Sequence, residues 1–115
     1  MSKINFLRFY DDYINSLFQR LNKINKKDLK KALNLIEKTI KKGNNIFVCG
    51  NGGSHAIANH YVCDYFKVLS QETSLKPKIF SLCSSSELIS AISNDISYSD
   101  VFLYQADRLI KKNDI

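Results

Sequence analysis

The sequence predicts an α/β sandwich built on a parallel sheet, and three observations carry that expectation. Two β-rich runs, Ile46-Phe47-Val48-Cys49 and Lys78-Ile79-Phe80-Ser81-Leu82-Cys83, read as strands, the first apolar throughout, as a strand buried on both faces would be. Between them, Ala56 to about Leu69 has apolar residues at helical spacing and no breaker. The full order, α-α-β-α-β-α-loop-α, is that of strands joined by crossover helices.

Each element has its own signal. Phe6, Phe9, Tyr10, Tyr13, Ile14, Leu17, Phe18 and Leu21 recur at three- and four-residue steps and predict a helix from Phe6 to Leu21. This stripe is broad and aromatic, and a small domain has little core to bury it, so it is expected to pack partly on another subunit. After the polar connection Asn25-Lys26-Lys27, a narrower stripe of Leu29, Ala32, Leu33, Ile36 and Ile40 predicts a second helix to about Lys42. Asp28 suits the dipole at its start, and Gly43-Asn44-Asn45 ends it. Residues 1–42 thus form a helical segment and residues 43–115 the start of the sheet domain. Past Pro77 and the second strand, Ser84-Ser85-Ser86-Glu87 resembles a helix start, with a short helix from Glu87 to Ser93. Asn94 to Tyr98 reads as a loop, and Ser99 or Asp100 caps a last helix from Val101 to about Lys111. Ile115 looks like the first residue of another strand. Two parallel strands make no stable covered sheet, so the chain is expected to be the N-terminal part of a larger domain.

At 115 residues, with 44% hydrophobic and 24% charged content, the composition is that of one globular domain at most. No run is long enough to span a membrane, and no secretory leader pattern opens the chain, so cytoplasm is the expected compartment. Cys49, Cys63 and Cys83 have no CxxC spacing and all lie in apolar segments; buried free thiols are expected. The net charge of +6 is concentrated in the second helix, at Lys23, Lys26, Lys27, Lys30, Lys31, Lys38, Lys41 and Lys42. These lysines lie on the polar side of an amphipathic pattern without interleaved aromatics. A solvated helix face accounts for them, and no nucleic-acid partner is expected.

Chemistry concentrates in Cys49-Gly50-Asn51-Gly52-Gly53-Ser54-His55, at the turn from the first strand into the next helix. Its glycines allow a sharp turn and close approach to a ligand. The first helix amides are expected to lack intrahelical partners, and Ser54 either caps the helix or turns its hydroxyl to an oxyanion. Phosphate is the natural occupant; a plain tight turn is the alternative. There is no Gly-Lys-Ser/Thr ending for a Walker loop, and His55 occupies the position where a dinucleotide fingerprint needs its third Gly or Ala. His60 and Asp64, four residues apart on the following helix, share one face and are ordinary zinc ligands, although a surface hydrogen bond explains the same spacing. Asn94 and Asp95 either reach a ligand crevice at the carboxyl strand ends or form an Asx loop. For Ser84, Ser85 and Ser86, helix capping is at least as good a reading as facing that crevice.

Taken together, Phe47-Val48-Cys49-Gly50-Asn51-Gly52-Gly53-Ser54, His60, Asp64 and Asn94-Asp95 resemble the sugar isomerase (SIS) domain family, and within it the phosphoheptose isomerases. The resemblance covers the whole chain but only the leading part of a typical member. It implies a flavodoxin-like three-layer sandwich, commonly a homotetramer with N-terminal helices between subunits. It also implies an aldose–ketose isomerase of sedoheptulose 7-phosphate and D-glycero-D-manno-heptose 7-phosphate, serving heptose synthesis for lipopolysaccharide or capsule. Asn51, Gly52, Gly53 and Ser54 match the substrate turn, Asn94 and Asp95 the pair on the sugar, and His60 the ligand of one zinc ion per subunit. Asp64 falls where the family usually has a glutamate that binds metal, meets substrate and moves protons. That shorter carboxylate is a departure, since a displacement of about an ångström can cost on the order of 10²-fold in rate. The family's second phosphate loop and late metal ligands would lie past Ile115. The alternatives are a non-catalytic SIS protein that binds sugar phosphate as a regulator or adaptor, and an inactive remnant.

Overall fold

The computed structural model describes residues 5–115, which fall into two compact units divided between Leu33 and Asn34. In the first unit, Asn5 caps helix α1 (Phe6–Asn22), its side chain accepting from the Arg8 amide at 3.2 Å. The aromatic stripe runs along α1 as expected, with Phe9 and Tyr13 stacked at 6.4 Å between centroids. None of its residues is buried. Helix α2 (Lys26–Lys41) starts in this unit, where Asp28 pairs with Lys31 at 2.9 Å, and ends in the second.

The second unit holds the sheet. Gly43 adopts φ +72° and closes α2, with its amide on the Ile40 carbonyl and that of Asn44 on the Thr39 carbonyl. Such a left-handed stop suits glycine. Strands β1 (Asn45–Val48) and β2 (Lys78–Ser81) pair in parallel, Ile46 beside Ile79 and Phe47 beside Phe80. Ile40, Ile46 and Ile79 form a buried cluster on which Ile36, Val62, Tyr65 and Leu69 pack. The other face is different: Phe47 and Phe80 stack at 5.6 Å, and Phe80 remains 49% exposed. So β1 is not buried on both faces in this chain, against the reading of its unbroken apolar run. The stacked rings line an open groove of about 870 Å³ with Leu88 and Leu109.

Ile115 takes the role its sequence suggests. Its amide donates to the Asn45 carbonyl at 3.1 Å and its carbonyl accepts from the Phe47 amide at 2.7 Å, while Val48 accepts from Leu82 on the β2 side. It therefore extends the sheet beside β1, opposite β2. The turn before it is fastened by Asp114, whose carboxylate accepts from the amides of Asn45 (2.8 Å) and Lys111 (2.9 Å). Those two backbone donors hold the Asp114 carboxyl below its usual 3.8. A depressed pKa adds stability above the unfolded value and loses it as pH falls through the folded one. Asp114→Asn is expected to melt below the wild type at neutral pH, with the gap closing as pH drops below 3.8. A gap independent of pH would show that charge plays no part.

Helix α3 (Gly53–Cys63) begins three residues before Ala56 and runs on without a break through a π-helical segment, Asp64–Leu69, and a closing turn α4 (Ser70–Glu72). The period that reveals a helix is blind to this widening. Helix α5 (Ser86–Asp95) starts on Ser85, whose hydroxyl accepts from the Leu88 amide at 3.1 Å. Capping is thus the role Ser85 takes. Asn94 and Asp95 end α5 and do not lie in a loop, because the ladder continues to the Ile96 amide. A single 3-10 turn, Tyr98–Asp100, precedes α6 (Leu103–Leu109), which is shorter than expected and has no side-chain cap from Ser99 or Asp100. Gln105 of α6 is buried, and its amide donates to the carbonyls of Leu82 (3.0 Å) and Val101 (2.7 Å). No helix among the described residues is long and apolar enough to cross a membrane.

Candidate functional site

The glycine stretch stands where the sequence places it, at the carboxyl end of β1 and the start of α3. Gly50 and Gly52 are required for different reasons. Gly52 holds φ +55°, a conformation that L side chains rarely adopt. A Cβ on Gly50 would stand 2.5 Å from the Ser54 carbonyl oxygen, so the chain packs on itself there. At Gly52 and Gly53 nothing lies within 4 Å of an added Cβ, so the outer side of the loop is open.

The amides divide into two sets. Those of Ser54 and His55 are taken by the carbonyls of Asn51 (3.0 Å) and Gly52 (3.1 Å), a correction to the expectation that the first helix amides lack partners. Among the described residues no backbone carbonyl beyond the regular ladders accepts from Gly52 or Gly53, which leaves these N–H groups for a ligand. Gly52 is the N-cap and has no side-chain cap, so Ser54 does not cap α3. Asn51, Gly52, Gly53 and Ser54 are all exposed. An anion at the start of α3 would meet free amides and the positive end of the helix dipole.

His60 and Asp64 come together as their spacing predicts, Nε2 to Oδ1 at 3.5 Å, with side chains 75% and 53% exposed. Asp64 is the first residue of the π-helical segment, and such widened turns recur at functional sites. Beside them Tyr61 donates its hydroxyl to Tyr65 at 2.9 Å, with the rings stacked at 4.5 Å. Burial, and then Tyr61, push the Tyr65 hydroxyl up to about 12. As ligands, an imidazole and a carboxylate suit zinc, which takes four donors. The pair supplies two. Among the described residues no three His, Cys, Asp or Glu side chains gather to hold a metal, so the donor set present fits only half a zinc site.

Asn94 donates its side-chain amide to the Asp95 carboxylate at 2.8 Å, and no described hydrogen bond ties either residue to the glycine stretch or to His60 and Asp64. Ser84 and Ser85 line the open groove beside the sheet, which none of the glycine-stretch residues borders. The cysteines are all free, but only Cys83 is buried. Cys49 stands just past β1 and Cys63 ends α3 beside the core-facing Val62, so both are exposed, contrary to their apolar surroundings in sequence. Cys83 reaches the glycine stretch, with its sulfur 3.3 Å from both the amide nitrogen and the carbonyl oxygen of Gly50. Sequence reading gave it no such part; its only signal was a polarizable residue ending an apolar strand. Gln105 was equally missed, although a glutamine among the apolar positions of the last helix is the kind of residue that buries only with partners.

A parallel sheet with a glycine turn at the carboxyl end of a strand, opening a helix, defines an α/β protein. The particular family follows from comparison: residues 9–115 match the SIS domain, and the chain belongs to that family. It is 37% identical over 87 residues to the phosphoheptose isomerase of Aliarcobacter butzleri, covering 76% of this chain and 46% of that protein. To the phosphoheptose isomerase of Campylobacter jejuni it is 34% identical over 94 residues, 82% of this chain and 50% of the relative. The solved structure of phosphoheptose isomerase from Neisseria gonorrhoeae superposes with a TM-score of 0.75 at 27% identity, covering 93% of this chain and 56% of that one. The flavodoxin-like α/β fold expected from the resemblance is therefore the one adopted. The chain spans about half the length of the curated relatives it matches.

Proposed function

We propose that this chain carries the first half of the active site of a phosphosugar aldose–ketose isomerase, acting on sedoheptulose 7-phosphate to give D-glycero-D-manno-heptose 7-phosphate. The observation that carries the reading is the placement of free Gly52 and Gly53 amides at the start of a helix whose next turns present His60 and Asp64. Similarity to phosphoheptose isomerases supports the substrate class. In this reading Asn51, Gly52, Gly53 and Ser54 hold the sugar phosphate, Asn94 and Asp95 contact the sugar, and Asp64 moves the proton between C1 and C2 through an enediol. His60 and Asp64 would be two ligands of a zinc ion, one per subunit, completed by donors from elsewhere. When bound, the metal would supply a Lewis acid for the carbonyl oxygen. The exposed aromatic stripe of α1, with Phe6 at 70% and Phe18 at 65%, favours a homo-oligomer, a tetramer by resemblance. Heptose synthesis for lipopolysaccharide or capsule, in the cytoplasm, is the corresponding role.

The experiment is isomerisation of sedoheptulose 7-phosphate, with and without added zinc, by this chain and by a form lengthened to the span of its relatives. His60→Ala and Asp64→Ala are each expected to lower turnover by about 10²-fold or more, the scale of a lost acid–base group. Their melting temperatures should barely move, because an exposed pair contributes about 0–1 kcal/mol at most. Turnover untouched by both substitutions would sink the assignment. A second reading, a SIS protein that binds sugar phosphate without converting it, is favoured by the short Asp64 carboxylate. Binding without turnover in the lengthened form would select it.

A further inference from the structure

Cys83 is 1% exposed and lies two residues beyond β2, yet its thiol spends both of its hydrogen-bonding capacities on one residue of the glycine stretch. The sulfur accepts from the Gly50 amide and the thiol donates to the Gly50 carbonyl, each at 3.3 Å. Gly50 is also the residue with no free space, since even a Cβ would meet the Ser54 carbonyl oxygen at 2.5 Å and carbon at 2.6 Å. The peptide at Gly50 is thus pressed on the first turn of α3 and tied by its polar groups to the end of β2. The tie has firm footing. The Cys83 amide donates to Ser81 Oγ at 3.1 Å, and the Gln105 side chain fixes the adjacent Leu82 carbonyl at 3.0 Å.

We propose that Cys83 is a positioning residue of the glycine loop: by holding both backbone polar groups of Gly50, it sets the register in which the Gly52 and Gly53 amides and the Ser54 hydroxyl meet a sugar phosphate. The proposal rests on the reading of that loop as the phosphate site. It acts through Gly50, with no contact between Cys83 and ligand. A valine offers no polar atom and adds one methyl to the site, whereas a serine restores one donor and two acceptors.

The test is amide hydrogen exchange and titration with sedoheptulose 7-phosphate, both followed by NMR on the ¹⁵N-labelled chain and its Cys83→Val and Cys83→Ser variants. In Cys83→Val the Gly50 amide should exchange about tenfold faster and the dissociation constant should rise about tenfold, the equivalent of one lost buried hydrogen bond. Core amides such as Ile46 and Ile79 should keep their protection, and Cys83→Ser should recover most of both effects. A purely structural thiol would speed exchange throughout the sheet, with serine failing as valine does; that outcome overturns the proposal. So does a Cys83→Val chain that protects Gly50 and binds as the wild type. A wild-type chain that binds no sugar phosphate, while residue 83 still governs Gly50 exchange, overturns the phosphate reading and leaves only the clamp. Should Cys83→Val not fold, Cys83→Ala takes the same readouts and is judged by the same outcomes.

Discussion

Ile79→Ala is expected to cost about 2–5 kcal/mol, a large share of the roughly 5–15 kcal/mol that holds a typical domain folded. Ile79 is 2% exposed and lies beside Ile46 in register, with Ile40 completing the buried cluster. Removing its outer carbons loses their transfer energy and leaves a cavity that a two-strand sheet cannot close without moving both strands. The contrast lies one residue on. Phe80 points to the opposite face and is 49% exposed, so Phe80→Ala should cost less although it deletes a larger side chain. Urea unfolding of both variants measures the difference as a shift in midpoint at unchanged slope. Equal losses would mean that the face carrying the stacked phenylalanines is as important to stability as the isoleucine face.

Gly50→Ala is expected to destabilise by about 1–3 kcal/mol and to abolish sugar-phosphate binding, while Gly53→Ala does neither by steric conflict. The new methyl at position 50 would stand 2.5 Å from a backbone oxygen and 2.7 Å from the Ser54 Cβ, and backbone cannot swing aside as a long side chain can. Relief requires moving either the end of β1 or the first turn of α3, and with it the amides of Gly52 and Gly53. At Gly53 the added methyl meets nothing within 4 Å. An alanine there suits a helix better than glycine and should hold or raise the melting temperature. Thermal melts paired with phosphate titrations separate the cases. If Gly53→Ala binds as the wild type, the ligand does not approach position 53 closely; if Gly50→Ala keeps both stability and binding, the loop is not the rigid element described above.

Much of this was open to reading in the chain. The stripe on α1, the stop at Gly43, the places of the two strands, the cap at Ser85 and the pairing of His60 with Asp64 all follow from local rules. Each is fixed by residues a few positions apart, through periodicity, φ at glycine or one turn of helix. The misreadings share a different cause. An apolar run at β1 shows that its side chains are fit for burial, but only the neighbouring elements decide whether each face is covered. For the same reason Cys49 and Cys63 look like core residues in sequence and stand exposed in the fold. Asn94 and Asp95 read as a loop because Asn and Asp favour turns, yet the helical ladder of α5 carries through both.

The sequence by itself therefore determined the α/β class, the place of the glycine turn between strand and helix, and the one-face pairing of His60 and Asp64. Only the tertiary structure decided that Cys83 and Gln105 are the supports of that turn. Gly50 and Cys83 are thirty-three positions apart, and Leu82 and Gln105 twenty-three. Contacts over such distances come from strand pairing and helix docking, and no periodic pattern in the chain encodes them. The π-helical segment at Asp64 and the addition of Ile115 to the free side of β1 belong with them. Both are settled by which backbone groups find partners once the sheet has formed.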